Sequence, residues 1–248
     1  MPVSASVAPY EGVAFTHRGM VPVSPNRALE IEEIPGVVEE FRKGAERAKA
    51  AGFDGVEIHG GNGYLIDQFL QDGSNKRTDS YGGSPENRAR LLMDVTHAVA
   101  TMWGYDRVAV RISPGTKFNG MSDSNPAATL DYVAKALAPL RLAYLHIIEP
   151  RVIGGQEEAD GLPPVAAANL RKFFKGTIMA AGGFDPKGAE EIVTTGDADL
   201  VAFGRHFIAN PDLPKRIRFG LPLNPYDRSS FYGGNAHGYT DYPFHQKN

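Results

Sequence analysis

His59, Asn62 and Tyr64 follow the apolar run Val56-Glu57-Ile58 in the pattern His-x-x-Asn-x-Tyr. An imidazole N–H and a carboxamide NH2 can donate to the same oxygen. Two such donors stabilise negative charge as it develops there, which is the chemistry of an oxyanion hole. A phenol beside them is suited to act as a general acid toward a carbanion-like carbon. Gly60, Gly61 and Gly63 let the backbone turn tightly and approach a bound ring. The plainer alternative is a satisfied histidine, a turn asparagine and a packed tyrosine.

Other residues invite a chemical reading. Arg111 interrupts the apolar run Val110-Arg111-Ile112, where an unpaired charge is costly. It meets a buried carboxylate, for which Glu57 of the neighbouring run is one candidate, or projects onto an anion. Gly182-Gly183 and Gly204-Arg205 each end an apolar run. Backbone N–H groups freed by such turns, with Arg205 adding charge, make a phosphate cradle. Tyr232 is placed to line a pocket or to pack. The polar stretch from Ser74 to Gly83 reads as a self-bonded surface connector, and His146, in mid-strand, as structural. His17, His97, His206, His237 and His245 show no metal-ligand spacing, so no metal is expected.

These residues need a scaffold that brings strand ends together. Short apolar runs at Phe53–His59, Arg107–Ser113, Ala143–Ile148, Thr177–Ala181 and Leu200–Gly204 read as strands buried on both faces. Helical patterns lie between them. Ser84-Pro85 opens a helix with Leu91, Leu92, Val95 and Val99 inward. Another begins at Pro126, a third covers Pro35–Ala51, and Asp185-Pro186 opens a fourth with Ala189, Ile192 and Val193 inward and Gly196 as its stop. Such alternation predicts a parallel α/β sheet, with chemistry at the strand C-termini as in a β/α barrel. An open doubly wound sheet is the alternative, weakened because no G-x-G-x-x-G follows a first strand. A full barrel needs eight strands, whereas five units are visible. Residues 1–34 read as loop with a hairpin around Val13–Phe15 and Met20–Val23, residues 35–220 as the βα units and 221–248 as a C-terminal loop, all in one partial barrel domain.

Composition narrows the classes. The 248 residues are 42% hydrophobic and 22% charged, enough for one sizeable core. A net charge of −3 offers no electrostatic case for nucleic acid or an anionic membrane. With no cysteine, disulfides, thiolate nucleophiles and iron–sulfur clusters are excluded. No apolar run approaches the roughly 20 residues that span a bilayer, and the start lacks a secretory pattern, so a cytoplasmic location is expected.

The longer motifs resemble the Old Yellow Enzyme family, closest to its bacterial N-ethylmaleimide reductase-like branch. They run from Phe53-Asp54-Gly55-Val56-Glu57-Ile58-His59 through Asn62-Gly63-Tyr64-Leu65-Ile66-Asp67-Gln68-Phe69-Leu70 to Thr78-Asp79-Ser80-Tyr81-Gly82-Gly83-Ser84-Pro85-Glu86-Asn87-Arg88. Ala202-Phe203-Gly204-Arg205, Asn210-Pro211-Asp212-Leu213 and Gly238-Tyr239-Thr240-Asp241-Tyr242-Pro243 extend the likeness. The resemblance implies an FMN-dependent (β/α)8 TIM-barrel ene-reductase that takes hydride from NADPH or NADH and passes it from flavin N5 to an activated C=C bond. His59 and Asn62 would then bind the oxygen of an enone, maleimide or nitro substrate. Tyr64 would protonate the α-carbon and Tyr232 would line the substrate site. Arg111 would lie near the flavin ring, and Gly182, Gly183, Gly204 and Arg205 would hold the FMN phosphate.

The family pattern also contains three earlier βα units with flavin-contacting segments that are not found here. The visible strands then correspond to strands 4–8, which implies a complementing chain or a homo-oligomer, or else a catalytically silent homologue. An unrelated aldolase-type barrel would need a Schiff-base lysine, for which Lys117 is the candidate.

Overall fold

The computed structural model describes residues 1–7, 12–153, 156–157, 166–232 and 235–246. Short extended segments come first: β1 (Val3–Ser4), the antiparallel hairpin β2 (Val13–Thr16) and β3 (Gly19–Pro22), and β4 (Arg27–Ala28), which pairs with β1. The hairpin falls where the sequence places it. Alternating units follow: α1 (Ile34–Ala50), β5 (Val56–Gly60), α2 (Leu65–Leu70), α3 (Pro85–Arg88), α4 (Arg90–Trp103), β6 (Val108–Ile112), α5 (Pro126–Leu137) and β7 (Tyr144–Ile148). Beyond them lie β8 (Val152–Ile153), β9 (Gln156–Glu157), α6 (Ala166–Arg171), β10 (Ile178–Ala181), α7 (Pro186–Thr194), β11 (Leu200–Ala202), α8 (Arg205–Ala209) and α9 (Leu213–Arg218).

The central sheet has five parallel strands in the order β11-β10-β7-β6-β5. This is the strand–helix succession of a β/α barrel carried through part of the circle. Because successive strand side chains alternate in direction, each strand has two characters. Ile58, Val108, Val110, Ile112, Leu145, Ile147, Ile178 and Ala180 face the helices and are buried in one apolar core with Leu91, Leu92, Val95 and Val99 of α4. On the other face the register aligns His59 with Arg111 and Arg111 with His146. One side of the sheet is therefore a core and the other a polar row.

Local chemistry sets several helix starts. The Ser84 and Asn125 side chains accept from Asn87 N and Ala128 N, and Asp185 accepts from Gly188 N, each with proline at the first helical position. Buried Glu149 accepts from Ala166 N and Ala167 N at 2.9 Å each, tying the end of β7 to α6.

Details depart from the sequence reading. The helix opened by Ser84 is divided at Ala89, whose ψ of −9° closes the first turn. At this break Arg88 is drawn inward to the Leu70 carbonyl, to Asp123 at 3.0 Å and to Thr129 at 3.0 Å. Val193 is 43% exposed rather than inward, because the buried stripe of α7 is Ala189 and Ile192. The 74–83 stretch is more than a surface connector. Ser74 and Asn75 are buried, and Arg77 donates to the carbonyls of Ala5 and Leu29, which fastens the N-terminal segment.

Candidate active site

A cleft of about 630 Å³ opens at the C-terminal ends of the sheet strands. Asn62, Tyr64, Arg111, Gly182, Gly183, Gly204, Arg205 and Tyr232 all line it. Residues scattered over the length of the chain thus share one wall. His59 is not part of that lining; it borders an apolar recess along the open edge of β5, with Phe41, Val56 and Val99. Its ring nevertheless lies beside Tyr64, with centroids 5.4 Å apart and planes at 55°. Tyr64 is 55% exposed and Tyr232 82% exposed, so both phenols are accessible. Gly233 and Gly234, beside Tyr232, lie outside the described residues.

The floor of the cleft is a charge cluster. Arg111 is partly buried, and its Nε makes no hydrogen bond. Of the two alternatives for Arg111, a hydrogen-bonded pair with Glu57 does not form: Glu57 reaches past buried Ala109 and accepts from His146 Nδ1 at 3.0 Å. Burial pushes the Glu57 carboxyl up, but bonds from His146 and Tyr144 and the charge of Arg111 hold it below its ordinary range. The Tyr144 hydroxyl is pushed up to about 12 by burial and by Glu57. Burial lowers the Arg111 guanidinium against the pull of Glu57, and burial followed by the Arg111 charge lowers the His59 imidazole. His59 is thereby held toward its neutral form, a donor through one ring nitrogen only. His146, read as structural, has one nitrogen on Glu57 while Nε2 is buried and makes no hydrogen bond.

The opposite end suits an anion. Gly182 and Gly183 have φ of +106° and +67°, conformations that L side chains rarely adopt. At Gly182 a Cβ would also lie 3.0 Å from the Val152 side chain. Arg151, which the sequence reading missed, donates to the Gly182 carbonyl at 2.8 Å and stacks on Phe184 at 4.3 Å. At Gly204 a Cβ would meet no protein atom within 4 Å, so the chain's own packing does not demand glycine there. Arg205 follows, its guanidinium over the Tyr226 ring at 5.6 Å.

A flat heteroaromatic ring over Arg111 with a phosphate at the glycine turns fits these donors. The orphaned Arg111 Nε would meet a ring acceptor, and the space beside Gly204 would admit phosphate oxygens. Lys117 is exposed and outside the cleft lining, and among the described residues no lysine lines the cleft for an aldolase-type Schiff base. Among the described residues no group of three or more His, Asp or Glu could hold a metal ion. Nor is any helix there long and apolar enough to cross a membrane.

Strand-end polar residues and paired glycine turns on consecutive βα units define a β/α-barrel protein of the kind that holds a phosphorylated ring cofactor. A model of the NADH:flavin oxidoreductase / NADH oxidase family matches residues 3–224. 12-Oxophytodienoate reductase 2 of Arabidopsis thaliana is 48% identical over 226 residues, covering 89% of this chain and 59% of its own length. The structure of morphinone reductase in complex with tetrahydroNAD matches with a TM-score of 0.90 at 45% identity, covering 99% of this chain and 67% of that one. The old yellow enzyme homologue from Zymomonas mobilis gives a TM-score of 0.90 at 38% identity, covering 98% and 68%. The chain belongs to the NADH:flavin oxidoreductase family, that of Old Yellow Enzyme, whose cofactor is FMN and whose reductant is a nicotinamide dinucleotide. It spans about three fifths of the length of the curated relatives it matches.

Proposed function

We propose that this chain carries the phosphate-binding and substrate-protonating side of an FMN-dependent ene-reductase acting on enones, maleimides or nitroalkenes. The observation that carries the reading is one cleft lined by Asn62, Tyr64, Arg111 and both glycine turns. Gly182, Gly183, Gly204 and Arg205 would hold the FMN phosphate, and Arg111 would donate to the electron-rich edge of the ring. FMN bound there supplies hydride from N5, received from NADPH or NADH. Asn62 and His59 hold the carbonyl or nitro oxygen and stabilise the charge that gathers on it. The Tyr64 hydroxyl delivers a proton to the α-carbon. Tyr232, at the rim, packs against the substrate.

The test is reconstitution with FMN followed by NADPH oxidation in the presence of cyclohexenone. Bound flavin and enone-dependent turnover are expected. Tyr64→Phe should lower kcat roughly 100-fold while flavin retention stays unchanged. A protein that takes up no added FMN, or a Tyr64→Phe variant with full turnover, would end the reading.

A second reading has its own support. His59 borders a recess of about 470 Å³ along the β5 edge, lined by Phe41, Val56 and Val99. An apolar strand edge is a pairing surface. Under this reading the chain is silent alone and acts when a complementing chain or a second copy extends the sheet beside β5. Turnover appearing only with added βα units would favour it.

A further inference from the structure

The groups that hold the 59–64 loop differ from those that face the cleft. Asn62 has φ +57°, the left-handed conformation that asparagine tolerates better than most L residues, and the surrounding hydrogen bonds fit that turn. Its N–H donates to Ser113 Oγ at 2.6 Å, and the Ser113 hydroxyl donates to Asp67 Oδ2 at 3.3 Å. The same carboxylate oxygen accepts the Gly63 N–H at 2.8 Å, and Oδ1 accepts Gln71 Nε2 at 2.9 Å. From outside, Asn119 Nδ2 and Gln68 Nε2 donate to the carbonyls of Asn62 and Gly63 at 2.9 and 2.8 Å. Asp67 is 3% exposed and Ser113 2%. Gly61 sits so close that a Cβ there would lie 2.8 Å from Ser113 Oγ.

We propose that Asp67 is the positioning residue of this site: directly and through Ser113, its carboxylate fixes the two consecutive N–H groups that keep Asn62 left-handed and aim Asn62 and Tyr64 into the cleft. The consequence for turnover rests on the ene-reductase reading; the clamp itself does not. An ionised carboxylate only accepts, so it satisfies all three donors at once, whereas a protonated one must itself donate and loses an acceptor position. Burial pushes the Asp67 carboxyl up to about 6, against the bonds from Gln71, Gly63 and Ser113. Asp123 faces it across a small cavity and adds to the rise, and is itself paired with Arg88 at 3.0 Å. His59 lies beside Tyr64 and titrates separately from Asp67. The loop is therefore expected to tighten as pH rises through about 6.

NMR titration of the whole chain tests this, with carboxyl-labelled aspartate and the amides of Asn62 and Gly63 as probes. Both amide protons should move with the Asp67 carboxyl at one midpoint near 6 and exchange slowly above it. Asp67→Asn should abolish that step, and Ser113→Ala should uncouple Asn62 while leaving Gly63. The His59 step at Tyr64 should persist in both variants, which separates the two titrations. Wild-type amides that ignore the Asp67 titration would overturn the proposal without any variant. In FMN-loaded protein, Asp67→Asn should lower kcat at least 10-fold and flatten its pH profile, with KM for NADPH unchanged. Wild-type turnover in that variant would equally overturn it. If the wild-type chain alone shows no turnover, the kinetic arm bears on the ene-reductase reading and not on the clamp, which the amide titration alone decides.

Discussion

Asp67 carries opposite demands on stability and on site geometry. Its carboxyl is pushed up to about 6 by burial, above the ordinary range of an unfolded aspartate near 4. A group raised on folding favours the native state fully below its unfolded pKa, and the benefit fades as pH climbs through the folded value. A shift of this size corresponds to on the order of 3 kcal/mol between pH 4 and pH 7. Asp67→Asn removes the titration and leaves one donor less well satisfied, which offsets about 1 kcal/mol. The variant is expected to resist urea as well as or better than wild type at pH 7.5 and to lose that advantage at pH 4.5. Urea midpoints at the two pH values check the sign; a constant difference between the proteins would contradict it. Acid thus strengthens this part of the fold while loosening the turn that presents Asn62. Asp67 falls within the motif that carries the family resemblance, but nothing local tells it from a surface carboxylate in the pairwise run Leu65-Ile66-Asp67-Gln68-Phe69-Leu70, because its role depends on Ser113, which is distant in the chain.

At the scale of elements, the turns after β10 and β11 form the anion end, and they differ in kind. Gly182 is demanded by the chain, through φ +106° and the nearness of Val152. Gly204 is not, because a methyl group there meets no protein atom. Gly204→Ala is therefore expected to leave the unfolding free energy of the cofactor-free chain within about 0.5 kcal/mol of wild type, yet to weaken FMN binding at least 10-fold by fluorescence titration. Equal affinity in both proteins would remove Gly204 from the phosphate site. The same elements show what was legible beforehand. All five sheet strands were found within three residues of their observed ends, because buried parallel strands read as compact apolar runs. Ser84-Pro85 and Asp185-Pro186 mark helix starts in the sequence, and the start at Pro126 proves to carry a cap from Asn125 as well. Short helices such as α6 escaped, since six residues carry too little periodicity and its start is fixed by Glu149 from another unit. The hydrogen-bond partner of Glu57 was not legible for a related reason. Sequence suggests the neighbouring strand, but the small side chain of Ala109 lets Glu57 pass over β6 to His146 on β7. His59, Asn62 and Tyr64 were legible as a group, whereas their division between a cleft and an open strand edge was not.

Over the whole molecule, the sheet ends at β5 on one side and β11 on the other, and neither has a further strand neighbour among the described residues. The two edges are not equivalent. β5 has five residues, carries His59 and borders the recess lined by Phe41, Val56 and Val99, whereas β11 has three. An edge strand leaves alternate N–H and C=O groups without ladder partners, and a longer edge beside apolar surface is the stronger template for pairing. Hydrogen exchange should therefore rank the strands. Amides of β6, β7 and β10, bonded on both sides, are expected to exchange slowest, and those β5 amides that point away from β6 to exchange orders of magnitude faster. If a second copy or a complementing βα segment docks beside β5, those same amides should become protected as its concentration rises. His59 would then be enclosed from the side on which it is now open, on the same face of the sheet as Arg111. Native mass spectrometry at matched concentrations would report the stoichiometry. Outward β5 amides that stay unprotected at every concentration, in a chain that nonetheless binds FMN and turns over enone, would mean that the cleft works with this edge bare.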